Sequence, residues 1–197
     1  MKEFAHGHKE FDIFKEKPAQ KAALMSQLVR CTRKHVNKAF SASIVLKDWE
    51  RLNQRYKMIE AWGPPYSFCA LHCIEMVQMW ARKNGIKYPV RFFFEDGAHQ
   101  RGELKRLAKE QYKTEPTFPK KALATQLQCC DLLAWKNRKA LDAAVTRGGT
   151  RDIEDMRSVL RSLEEVNKIA NRYGAHDYKS LVKVCQLKLE ARSVKGS

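Results

Sequence analysis

The sequence predicts an α/β fold, a sheet flanked by helices with a helical hairpin at the C-terminal end, and three patterns lead to that class. Tyr66, Cys69, Ala70, Cys73, Ile74, Val77 and Trp80 recur at helical spacing and form a wide apolar stripe. Pro89-Val-Arg-Phe-Phe-Phe-Glu95 is a short run whose nearly unbroken apolarity fits an interior strand covered on both faces. From Pro18 onward the patterns alternate as helix, strand, helix, strand, helix.

The elements follow in order. Residues 1–17 are polar with three phenylalanines and no sustained period, which suggests an ordered loop. Pro18 suits the first turn of a helix reaching about His35, with Leu24, Leu28 and Cys31 on one face. Residues 39–46 alternate in part and read as a strand, and a short helix over 48–56 follows. Gly63-Pro64-Pro65 breaks the chain before the helix of residues 66–83, which Asn84-Gly85 ends. The strand 89–95 closes in an Asp96-Gly97 turn, a basic helix spans about 100–112, and a proline-punctuated segment 115–122 precedes a helix from about 127 to 145. Arg147-Gly-Gly-Thr150 divides the chain into a domain of residues 1–146 and an appendage of residues 147–197. In the appendage Ile153, Met156, Leu160, Leu163 and Ala170 mark one helix that Gly174 stops. Asp177 caps a second helix carrying Leu181, Val184, Cys185 and Leu189.

At 197 residues and 44% hydrophobic, the chain can bury a sizeable core. No run approaches the roughly 20 apolar residues of a membrane span, and the first thirty residues are too charged for a secretory leader. We therefore expect a soluble, cytoplasmic protein with no membrane partner. The formal charge is +16, of which +12 falls in residues 1–146 and +4 in the tail. Such a surplus favours polyanions, and nucleic acid is the expected partner. Arg101, Lys105, Arg106 and Lys109, with Lys113, recur at helical spacing as a candidate phosphate-contacting face. The aromatic residues mostly occupy apolar stripes and give little evidence for base stacking.

Six cysteines without a secretory signal read as reduced thiols packed as small hydrophobes. In Cys69-Ala-Leu-His72-Cys73 the histidine points away from the two thiols, which argues against zinc. His6-Gly-His8 is too sparse to specify a transition metal.

Carboxylates carry the sharper chemistry. Asp131 stands within Leu127-Gln-Cys-Cys-Asp-Leu-Leu-Ala-Trp135, where an ionised group costs several kcal/mol (roughly) unless a cation or donor meets it. It reads either as the partner of Arg138, two turns on, or as a metal ligand or catalytic acid. Glu95 and Asp96 sit at the carboxyl end of the strand, where α/β sheets hold ligands. Glu95, Asp96 and Asp131 are hard oxygen donors of the kind Mg²⁺ or Mn²⁺ takes, and a pair of such ions can drive phosphodiester cleavage.

Phe92-Phe93-Phe94-Glu95-Asp96-Gly97, followed about thirty residues later by Leu127-Gln-Cys-Cys-Asp131-Leu-Leu-Ala-Trp135, resembles the domain-of-unknown-function-3800 family. Lys2-Glu-Phe-Ala-His6 resembles a segment that follows that family's opening strands. The resemblance spans residues 1 to about 145 and implies a ribonuclease-H-like sheet, with Glu95 as the strand-end acid and Asp131 as the helix acid, both catalytic metal ligands. Cys130 stands where a small residue such as Ala is usual, and the family's first acidic motif, Asp-Glu-Ser-Gly, has no counterpart. The resemblance therefore implies an N-terminally incomplete ribonuclease-H-like domain, descended from a metal-dependent nuclease and short of one bridging ligand. A sheet missing strands invites a homo-oligomer or a partner chain to complete it. The alternative is a non-catalytic basic module that binds nucleic acid or another protein.

Overall fold

The computed structural model describes residues 17–96, 100–120, 127, 129–135, 138, 171–176 and 180–186. Pro18 opens helix α1, Pro18–His35, where its fixed φ suits the first turn and its missing N–H costs nothing. Of the expected face Leu24 is half-buried while Leu28 and Cys31 are exposed, and Thr32, one turn on from Leu28, is buried. Strand β1, Ala39–Ile44, follows, and then α2, Leu46–Tyr56. Lys57 adopts the left-handed region, φ 49° and ψ 50°, and separates α2 from the short α3, Met58–Trp62. The side-chain oxygen of Asn53 accepts a hydrogen bond from the Ile59 N–H at 2.9 Å and ties the two helices across that kink.

Gly63 (φ 70°) and Pro64 turn the chain into α4, Pro65–Lys83. Buried residues lie on more than one side of it, as expected of a helix surrounded by protein. Phe68 joins Trp49, Leu52, Met58, Leu181 and Cys185 in one buried cluster. Ala70, Leu71 and Ile74 join Leu104, Leu107 and Ala108 of α5, Arg101–Tyr112, in a second. Each fully buried Leu or Ile contributes about 1.5–3 kcal/mol, so α4 is the element on which both halves of the core depend. Trp80 meets Phe40 edge-on, with ring centroids 5.9 Å apart, and seats β1 against the same helix.

Two corrections to the sequence reading concern strands. The described part of the tail is not a helical hairpin: residues 171–176 form β2, Asn171–His176, parallel to β1 in a register from Ala39 opposite Asn171 to Ile44 opposite His176. Gly174 pairs with Ala42 inside that strand and does not stop a helix there. The helix expected over 153–170 lies outside the described residues. Residues 180–186 are helical, as read, and bury Leu181 and Cys185 against Trp49 and Met58. Elements on both sides of residue 146 thus share one sheet and one core.

The second correction is to residues 89–95, which do not form an interior strand. Among the described residues this segment makes one parallel bridge, Phe93 opposite Thr117, through Phe94 N–H to Thr117 O and Thr117 N–H to Phe92 O, each 2.9 Å. Phe92 and Phe94 pack on the α4–α5 cluster while Phe93 is 52% exposed. The run is mostly apolar, yet only one face is covered. Among the described residues the sheet has the two strands β1 and β2, so the architecture is mixed helix and strand with helices dominant.

Candidate functional site

Three carboxylates were expected to converge, and the described residues do not bring them together. Glu95 lies on the outward side of its segment, with Arg91 and Phe93. Its charge, after burial of the ring, is the next cause holding the Tyr66 phenol above its usual range, which places it beside the first turn of α4. Asp96 turns back onto α5: the Arg101 guanidinium donates to it at 2.9 Å and closes the turn. Asp131 is half-buried in the helical residues 129–135, beside exposed Cys130 and Ala134 and buried Leu132, so its setting is wetter than a fully apolar helix would give. Burial, then Cys129, then Asp131 raise the Cys130 thiol. Among the described residues no three His, Cys, Asp or Glu side chains converge as a metal site. Glu95, Asp96 and Asp131 do not form such a group, and Asp96 is held by Arg101. His6 and His8 lie outside the described residues.

The basic face of α5 is largely cancelled by its own neighbours. Arg101 is held by Asp96, and Lys105 contacts Glu115 at 2.6 Å. Arg106 is clamped between Glu103 at 2.8 Å and Glu110 at 2.7 Å, which raises its guanidinium further and lowers the Glu103 carboxyl. Lys109 is exposed on the same helix and adds to the lowering of Glu115, whose largest cause is the hydrogen bond from Lys105. Counting exposed Lys113 at the helix end, five cations and four carboxylates share this surface, so it presents a phosphate with little net attraction.

Two other stretches carry positive charge and no acid of their own. Residues 17–47 hold seven Lys or Arg and no Asp or Glu, and residues 76–94 hold four and none. Those eleven cations leave 27 against 22 carboxylates in the rest of the chain, so two short stretches supply most of the +16. At the end of α1, Arg30 and Lys34 are exposed. After α4, Arg82, Lys83, Lys87 and Arg91 are exposed and have no carboxylate partner among the described residues. Between them Tyr88 stands 84% exposed, and Phe93 follows on the outward face. The signal was legible as an absence of Asp and Glu between Glu75 and Glu95; counting positive residues alone pointed to α5 instead.

This segment is fixed at both ends. Gly85, at φ 63°, closes α4 with the Ile86 N–H on Ala81 O at 3.0 Å and the Gly85 N–H on Arg82 O at 3.2 Å, the double bond pattern of a left-handed helix cap. The Asn84 side-chain amide donates to Trp80 O at 2.7 Å. At the far end Phe92 and Phe94 are packed, and the bridge to Thr117 holds the backbone. Arg82, Lys83, Lys87, Tyr88, Arg91 and Phe93 are thus carried on a stretch of about ten residues anchored on the core.

All six cysteines are free. Burial first, then the charge of Cys73, pushes the Cys69 thiol up to about 12. Burial likewise pushes Cys73 up to about 11, against a backbone hydrogen bond at Ala42 that lowers it. His72 lies 3.4 Å from Glu75 and stacks on Phe68. The Thr32 hydroxyl lies 2.9 Å from Leu28 O and 3.7 Å from the Cys129 sulfur, joining α1 to residues 129–135. Cys69 and Cys73 are packing groups rather than nucleophiles at neutral pH.

No family model matches this chain, and no curated protein or solved structure does. Among the described residues no helix is long and apolar enough to cross a membrane.

Proposed function

We propose that this chain is a non-catalytic nucleic-acid-binding module that attaches to phosphates through basic segments. One observation carries the reading: eleven Lys or Arg stand in two stretches of sequence that hold no carboxylate, while Arg101, Lys105 and Arg106 of α5 are held by acids. Polyanion affinity depends on uncompensated cations that release counterions from the phosphate backbone. The exposed cations at the end of α1 and beyond α4 meet that requirement.

The test is titration of the purified full chain into fluorescein-labelled 20-nucleotide single strands and 20-base-pair duplexes, followed by anisotropy from about 50 to 200 mM salt, with and without Mg²⁺ or Mn²⁺. A module of this kind binds in the metal's absence, loses about tenfold or more in affinity across that range, and leaves the strands intact. Absence of salt-sensitive binding would sink the reading. Metal-dependent cleavage that Asp131→Asn abolishes would replace it with the nuclease that the motif resemblance implies.

A further inference from the structure

We infer that residues 82–93 form a subsite for single-stranded nucleic acid, in which Tyr88 and Phe93 stack on unpaired bases while Arg82, Lys83, Lys87 and Arg91 lie along the phosphates. The inference rests on the nucleic-acid reading above and adds to it the place and the form of the strand.

Four observations combine. The segment carries four cations with no acid of its own, and no carboxylate partner is described for any of them. Two large aromatic rings on it remain in water, one of them 84% exposed, although Phe92 and Phe94 beside them are packed. The helix cap at Gly85 and the bridge at Phe93 hold the backbone at both ends, so little ordering accompanies binding. The spacing interleaves charge and ring, in the order Arg82, Lys83, Lys87, Tyr88, Arg91, Phe93. An exposed ring stacks on any base with a free face, and alternating it with cations is how proteins hold single strands without reading sequence.

Duplex fits this surface less well. In a duplex the faces of the bases are covered by their neighbours, so the rings would gain nothing and only the cations would contribute. An anionic bilayer is also served by basic and aromatic groups together, through an amphipathic helix whose apolar side enters the lipid. Residues 86–95 are not helical, and their continuous apolar side, Phe92 and Phe94, faces the core. A single strand is the polyanion that uses both kinds of exposed side chain.

The experiment compares the full chain with its Tyr88→Ala, Phe93→Ala and double variants, and with Tyr88→Phe as the conservative control. Each is titrated by anisotropy against a labelled 12-nucleotide thymidine strand, the matching 12-base-pair duplex, and vesicles containing phosphatidylserine. Circular dichroism melts accompany each variant, and both side chains are exposed, so the fold is expected to survive. We expect each alanine variant to lose about tenfold in single-strand affinity with duplex binding nearly unchanged, and Tyr88→Phe to retain wild-type behaviour. Equal losses on strand and duplex, or no loss on either, would overturn the subsite and leave the general binding reading intact. Stronger capture by vesicles than by the strand would overturn it in favour of a membrane surface. Failure of the wild-type chain to bind any nucleic acid would remove the reading on which the inference rests.

Discussion

Helix α5 and the segment 82–93 both display four cations, and they differ in what lies next to them. On α5 the guanidinium of Arg106 is held by two carboxylates, Arg101 by a third and Lys105 by a fourth. Such exposed pairs add little to stability, but they remove the surface potential that would draw in a polyanion. On the 82–93 segment Arg82 and Lys83 occupy the last turn of α4, where they suit the negative end of the helix dipole and remain open to water. The contrast teaches that a count of Lys and Arg along a helix measures composition, whereas affinity for phosphate depends on the cations left over after local pairing.

A matched pair of variants tests this contrast most strongly. Changing Arg82, Lys83, Lys87 and Arg91 to Gln, or Arg101, Lys105, Arg106 and Lys109 to Gln, brings the formal charge from +16 to +12 in either case. Any long-range effect of net charge is therefore the same in both. If four phosphate contacts are lost in the first, the slope of log affinity against log salt for a single strand falls by about 3, and affinity at 100 mM salt drops on the order of 100-fold. The α5 variant is expected to change affinity by less than about threefold. Equal losses, measured by anisotropy, would break the comparison and return the binding face to α5.

Two glycines sharpen the comparison from the side of stability. Both adopt positive φ, Gly63 at 70° and Gly85 at 63°, so any other residue is strained at either. A Cβ at Gly63 would also meet Ser67 Cβ at 3.0 Å, Leu107 at 3.1 Å and Glu103 at 3.2 Å, that is, the packed interface of α4 with α5. A Cβ at Gly85 meets nothing within 4 Å. Gly63→Ala is expected to cost about 2–3 kcal/mol and Gly85→Ala about 1 kcal/mol in urea unfolding. A Gly85→Ala cost equal to that of Gly63→Ala would mean that the segment after α4 is packed as tightly as α5, contrary to its exposure.

Helices α1, α2, α4 and α5 were legible in the sequence to within two residues, because Pro18, Pro65 and Gly85 punctuate strongly periodic stretches. Helix α3 was not: five residues carry too short a period, and the break before it is a left-handed lysine, Lys57, which no propensity marks. The 89–95 run misled because a row of phenylalanines reads the same whether one face or both are covered; Phe93 decides the matter only once its exposure is seen. Strand β2 contains a glycine and a single aromatic, so its conformation comes from pairing with β1 far back in the chain. The same difficulty governs the site. Residue types and spacing identified Glu95, Asp96 and Asp131 as donors, but whether carboxylates meet is set by tertiary placement, and Asp96 is turned by Arg101 onto α5. Tyr88 was passed over because a lone aromatic beside proline has no period to mark it as exposed.

The smallest effect concerns α4, against which α5 packs and from which the 82–93 segment runs on. Cys69 and Cys73 are held protonated to about 12 and about 11 in the folded chain, against an ordinary thiol value of 9.0. The unfolded chain therefore loses these protons first as pH rises, and binds fewer protons than the native state above the ordinary value. Stability contributed by burying the neutral thiols is complete well below pH 9 and declines as pH climbs through 9 toward 11. Between pH 8 and 9 each thiol is expected to account for about 0.4 kcal/mol of lost stability, together about 2 °C in melting temperature. The Cys69→Ala, Cys73→Ala double variant will start from a lower melting temperature because it leaves small cavities, so the informative quantity is the slope with pH. That slope should flatten by the thiols' share, with Cys130, also raised, supplying part of what remains. An unchanged slope would show that α4 admits water to these thiols in solution, and with it the rigid mounting assigned to the 82–93 segment would fall.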